Sequence, residues 1–161
     1  MQNILRVGMA DLKCVEYPGI LTTLGLGSCV GIALFDTQRK VIGLAHIMLP
    51  SSSQARSIEN PAKFADTAII NLLEDMERNG ARLRNIVAKL AGGAQMFAFS
   101  KLSSILNVGE RNVASAKEKL NELNIPIISE DTGGNYGRTI EFYSNDGSLL
   151  IKTIGHGVKK I

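Results

Sequence analysis

A chain of 161 residues is long enough to bury a sizeable core and too short for two comfortable ones, so one domain spanning residues 1–161 is expected. Its 45% hydrophobic and 20% charged content is that of an ordinary soluble globular protein. The net charge of +3 comes from interspersed acids and bases, and only five Phe, three Tyr and no Trp are available for base stacking, which excludes a nucleic-acid footprint.

Residues 3–16 read as extended, with the alternation weakened by Gly8, and Tyr17-Pro18-Gly19 is a turn signature. Arg6 and Asp11 interrupt what would have to be the apolar core of a signal peptide. The longest apolar run, Val41 to Pro50, is too short to cross a bilayer. A cytoplasmic protein, not inserted in a membrane, is expected. Cys14 and Cys29 form neither a CxxC pair nor a disulfide framework, which suits a reducing compartment. Cys14 lies in an alternating strand pattern and reads as a core or half-buried thiol.

Ile20 to Leu24 resumes extended structure and feeds a glycine elbow, Gly25-Leu26-Gly27, followed by Ser28-Cys29. Here a thiol nucleophile could be built. The thiolate is the reactive form and needs a base or backbone N–H groups to support it. Gly25 and Gly27 let the chain turn sharply and aim the amides near Ser28 and Cys29 at a developing oxyanion. Val30 to Phe35 is a near-continuous apolar run, expected of a strand covered on both faces. Asp36-Thr37-Gln38-Arg39 makes a polar turn, and Val41 to Met48 returns as a second apolar strand. In an antiparallel hairpin the start of one strand lies beside the end of the next, so the 17 residues between Cys29 and His46 are compatible with thiol–imidazole contact. Thr23 is suited to fix the imidazole by a hydrogen bond. Read from spacing alone, Cys29 fits an inert buried thiol better than a nucleophile, and His46 fits a core histidine held by a carbonyl as well as it fits a base. His156, in Gly155-His156-Gly157, reads as a loop residue.

Pro50 to Ser57 is a small polar loop. Asn60-Pro61 starts a helix with Asn as N-cap and Pro at its first position; Phe64, Ala65, Ala68, Ile69, Leu72, Leu73 and Met76 follow at helical spacing, and Gly80 is the stop. Asn85 to Leu90 is a strand running into Gly92-Gly93, which lacks both the P-loop lysine and the third glycine of a dinucleotide fold. Glycine there suits close approach of a substrate backbone at Gly93, or of another strand. Met96 and Phe97 beside it read as a partner-docking surface or as ordinary core. Glu110 to Leu123 is a second helix, Ile125 to Ser129 a strand, and Asp131 to Asn135 a loop. Arg138 to Tyr143 and Ser148 to Ile154 are joined by Asn145-Asp146-Gly147 as a hairpin. Strands and helices in blocks predict a mixed α/β fold of largely antiparallel sheets covered by two long helices, not a doubly wound nucleotide fold. The thiols and histidines form no ligand cluster, so no metal site is expected, and no cofactor.

Gly25-Leu26-Gly27-Ser28-Cys29-Val30, Ala45-His46-Ile47-Met48-Leu49-Pro50, Ala91-Gly92-Gly93-Ala94-Gln95-Met96-Phe97 and Glu130-Asp131-Thr132-Gly133-Gly134 together resemble the CheD family of chemoreceptor glutamine deamidases, nearly end to end. The resemblance implies a layered sandwich and an enzyme converting chemoreceptor glutamines to glutamates, with the thiol, imidazole and hydroxyl roles on Cys29, His46 and Thr23. It also implies hydrolysis of glutamyl methyl esters in some members, and a partner, the phosphatase CheC, expected near Met96 and Phe97. Two other classes remain open from the residues: a cysteine peptidase using the same dyad, and a non-enzymatic regulator that binds CheC.

Overall fold

The continuous apolar runs at the centre of the chain form the centre of the fold. In the computed structural model, which describes residues 3–53, 55, 57, 59–96 and 107–161, strands β4 (Val30–Asp36) and β5 (Val41–Ile47) are buried at every position. They pair antiparallel, Val30 opposite Ile47 and Phe35 opposite Ile42. Because strand side chains alternate between faces, each run feeds two cores at once. Val30, Ile32, Leu34, Val41, Ala45 and Ile47 pack toward helices. Ala33, Phe35, Ile42 and Leu44 pack toward a second sheet.

The helix-covered sheet has the order β2 (Asp11–Glu16), β5, β4, β6 (Ile86–Gly92), β7 (Ile127–Thr132), in which only β6 and β7 are parallel. Helix α1 (Ala65–Arg78) lies over β5 and β2, and α2 (Val108–Glu122) over β4, β6 and β7. Gly43 of β5 lets α1 come close, for a Cβ there would stand 2.8 Å from Leu72. The other sheet has the order β1 (Asn3–Arg6), β3 (Gly19–Leu26), β8 (Arg138–Tyr143), β9 (Leu149–Thr153), β10 (Gly157–Lys160), with β1 and β3 parallel. Leu21, Leu26, Ile140, Phe142, Leu149 and Ile151 close the inter-sheet core. The fold is thus a mixed α/β layered sandwich of two largely antiparallel sheets and two helices.

Several boundaries differ from the sequence reading. Residues 3–16 are two strands in different sheets, because the chain crosses over at Val7–Ala10, with Ala10 at φ +53°. The strand expected at Ile125–Ser129 instead runs Ile127–Thr132, taking Asp131 and Thr132 out of the expected loop. A further strand, β10, follows the C-terminal turn.

At the far end of the β4–β5 hairpin Asp36 is fully buried. Its carboxylate accepts the amides of Gln38 (2.9 Å), Arg39 (2.8 Å) and Arg82 (2.8 Å). Asp36→Ala strands those three donors and is expected to lower stability by about 3 kcal/mol, read as a fall in the urea midpoint. The turn lies at the opposite end of the hairpin from Cys29, so turnover of the folded fraction should be unchanged.

Candidate active site

Between β3 and β4 the chain makes a short elbow whose carbonyls are all tied down. Gly25 sits at φ +70°, and the Gly27 amide folds back onto the Gly25 carbonyl at 3.1 Å. The carbonyls of Gly27 and Cys29 accept the amides of Ala94 and Gly93, each at 2.8 Å. The Ser28 carbonyl accepts the side-chain amide of Asn112 at 2.9 Å. Gly92, at φ +108°, must be glycine for this to happen, since a Cβ there would collide with the Cys29 carbonyl. Among the described residues no backbone carbonyl accepts the amides of Ser28 and Cys29, and Ser28 is half-buried.

His46 stands opposite Gly31 in the β4–β5 ladder, so its ring faces the second sheet, on the same side as the Cys29 side chain two residues before Gly31. The two are diagonal neighbours across the hairpin. His46 Nδ1 lies 2.7 Å from Thr23 Oγ1, reaching across from β3. The Thr23 hydroxyl has one proton, which it donates to the Val7 carbonyl at 2.7 Å. Its oxygen therefore accepts from the ring, which places the proton on Nδ1 and leaves Nε2 with a free lone pair. Nε2 is buried and has no partner among the described residues.

Residues 48–153 match the family model described as CheD chemotactic sensory transduction. The chain belongs to the CheD family. It is 63% identical over 159 residues to the probable chemoreceptor glutamine deamidase CheD of Caldanaerobacter subterraneus subsp. tengcongensis, covering 99% of this chain and 98% of the relative. It is 55% identical over 161 residues to the protein of the same name from Lachnoclostridium phytofermentans, covering all of both. Thr23, Cys29 and His46 precede the segment matched by the CheD model, whereas the full-length relatives span them. The crystal structure of Neisseria meningitidis protein NMB0706, of family DUF152, shares the fold at 9% identity and a TM-score of 0.50, over 83% of this chain and 63% of that one.

In this chain of the CheD family burial favours the neutral forms of both Cys29 and His46. Cys29 is 7% exposed; burial pushes its thiol above the usual 9.0, and its own backbone N–H opposes this only in part. Burial likewise holds His46 below the usual 6.5. Burial thus favours the thiol over the thiolate and the imidazole over the imidazolium, and no hydrogen bond joins Cys29 Sγ to His46 Nε2. A depressed imidazole stays neutral to lower pH, so the acid limb of kcat/KM is expected below pH 6.5, checked by a pH–rate profile. Stability moves with it: in the unfolded chain the ring protonates near 6.5 while the folded one resists. The contribution is full above that pH and is lost as pH falls toward the folded value.

The remaining predicted residues fall around the elbow. Gly27 carries the side chain of Met96 over it, Met96 Cγ lying 3.3 Å from where a Cβ would stand, and Met96 is 46% exposed. The Gly93 amide is committed to Cys29, and its missing side chain admits Val113 and the Gly109 carbonyl of α2. Phe97 lies outside the described residues. His156 stacks on Tyr136 with centroids 4.1 Å apart. A groove of about 640 Å³ between Leu49, Pro50, Phe64, Ala114 and Ser115 contains neither Cys29 nor His46. Cys29 itself is buried.

Two residues near the elbow escaped the sequence reading. Arg138, buried in β8, pairs with Asp131 at 3.2 Å and donates to the Gly92 carbonyl at 3.4 Å, bracing the strand end behind Cys29. Asn112 is fully buried and donates to Met48 O at 3.1 Å as well as to Ser28 O. Its signal was available: it stands four and eight residues before Ala116 and Leu120 on the apolar stripe of α2, where a polar side chain needs a reason.

Proposed function

We propose that this chain is a cytoplasmic cysteine hydrolase, acting as one unit over residues 1–161, that deamidates glutamine side chains of chemoreceptors to glutamate. The observation that carries the reading is the bare Nε2 of His46, its tautomer set by Thr23, on the face that carries Cys29. The names of the full-length relatives supply the substrate class. No helix among the described residues is long and apolar enough to cross a membrane.

The thiol proton passes to His46 Nε2 as Sγ attacks the carboxamide carbon of the substrate. The amides of Ser28 and Cys29, on the turn shaped by Gly27, receive the oxyanion. The intermediate collapses when the imidazolium gives its proton to the leaving nitrogen, releasing ammonia and leaving a glutamyl thioester. Water attacks the thioester carbon with its proton taken by Nε2, and glutamate leaves as the thiol re-forms. The substrate's charge falls by one unit at each site. A glutamyl methyl ester would follow the same path with methanol as leaving group. Gly93 contributes by holding the Cys29 carbonyl. CheC is proposed to dock at Met96 and Phe97, a reading favoured by the exposure of Met96 directly beside Gly27.

The test is incubation with a purified chemoreceptor cytoplasmic fragment. Ammonia release in step with a gain of about 1 Da per modified glutamine is expected, as –NH₂ becomes –OH. New chain termini would mark a peptidase instead. An unchanged fragment would leave binding of CheC as the chain's main work.

A further inference from the structure

The Asn112 side chain joins two segments that the sheet does not. The β4–β5 ladder ends at the Val30–Ile47 pair. Beyond it the amides of Met48 and Leu49 turn away to the Lys63 carbonyl, at 2.8 and 3.0 Å. Among the described residues no backbone hydrogen bond links Gly27–Cys29 to Met48–Leu49. Both hydrogens of Asn112 Nδ2 fill that gap, one on the carbonyl entering Cys29 (2.9 Å) and one on the carbonyl two residues after His46 (3.1 Å).

In a trans peptide the C=O and N–H point in opposite directions. The Ser28 carbonyl and the Cys29 amide belong to one peptide, so a donor that pins the carbonyl toward α2 aims the amide away from α2. The neighbouring peptide is held the same way, with the Gly27 carbonyl on Ala94 N and the Ser28 amide directed outward. Asn112 Oδ1 is itself buried without a partner among the described residues. The cost of burying that oxygen is offset by the two carbonyls that Nδ2 satisfies.

We infer that Asn112 is a positioning residue for the deamidation proposed above, on which this assignment rests. Its side-chain amide fixes the Ser28–Cys29 peptide so that the Cys29 N–H meets the oxyanion, and it locks that peptide to the strand carrying His46. The residue touches no reacting atom; it acts through Cys29.

The experiment compares two reactions of the same sulfur in Asn112→Ala and Asn112→Asp. Deamidation of the receptor fragment passes through an oxyanion. Alkylation by chloroacetamide does not: the S–C bond forms at the methylene, chloride leaves, and the thiol proton is lost. Loss of oxyanion alignment is expected to lower kcat about 100-fold with KM within about twofold, while the alkylation rate stays within about threefold of the parent. Asn112→Asp nearly keeps the volume but presents an oxygen to two carbonyls, and it carries the test if the alanine variant does not fold. Deamidation within threefold of the parent, or alkylation falling in step with deamidation, overturns the assignment. A parent protein that alkylates normally but releases no ammonia from the fragment overturns the deamidase reading, and the assignment with it.

Discussion

Cys29→Ala is expected to release no measurable ammonia from a chemoreceptor fragment, a loss of at least about 10⁴-fold, because the Thr23 hydroxyl beside His46 is committed to Val7 O and to the ring. Cys14, the other thiol, belongs to β2, accepts a bond from Asn79 at 3.2 Å, and is also pushed upward by burial. It cannot substitute. The change removes one sulfur from a site already 7% open, so the fold should survive, with near-native far-UV dichroism and thermal midpoint. Binding of CheC should survive as well, since Met96 is untouched. Retained turnover in this variant would eliminate covalent catalysis at Cys29. Loss of turnover together with retained binding separates the enzyme from the regulator reading in one protein.

A drop of about a thousandfold in kcat is expected for His46→Asn, the scale of one well-placed acid–base group. Asparagine is chosen because its Nδ2 lies near the position of Nδ1 and continues to donate to Thr23 Oγ1, while nothing replaces Nε2. The pH–rate profile is the sharper readout. With the base gone, the residual rate should lose its acid limb below pH 6.5 and climb with ionisation of the thiol, which burial holds above 9.0. A parent-like profile in this variant would mean that the proton leaves Cys29 by another route.

What could be read from the chain followed from interactions close in sequence. The hairpin that brings Cys29 and His46 to one end is written in two uninterrupted apolar runs and a polar turn. The helix start at Asn60-Pro61 was legible too, with Asn60 Oδ1 accepting the Ala62 amide at 3.1 Å. Yet the helix there stops after one 3₁₀ turn and restarts at Ala65. The Lys63 carbonyl is taken by Met48 and Leu49, and Ala65 N bonds Leu49 O at 3.0 Å, so Phe64 is drawn into an extended bridge. That competition comes from another part of the molecule and leaves no local mark. The same holds for the site: the His46 tautomer depends on Val7 and Thr23, and the set of the elbow on Asn112, which lies 84 residues from Ser28. Strand β10 is exposed along its whole length and exists only through its pairing with β9, so no hydrophobic pattern announces it.

Thr23 and His46 belong to different sheets, and the 2.7 Å bond between them crosses the apolar interior. Under the proposed mechanism, catalytic competence is therefore a gauge of how far apart the two layers stand. A thinning of the filling far from Cys29, at Phe142 or Leu149 for instance, would let one layer drift against the other by tenths of an ångström, stretching that bond while every strand stays paired. Turnover should then fade on warming before any spectroscopic sign of melting. A thermal activity curve and a dichroism melt of the same sample would part company in proportion to the slack between the layers.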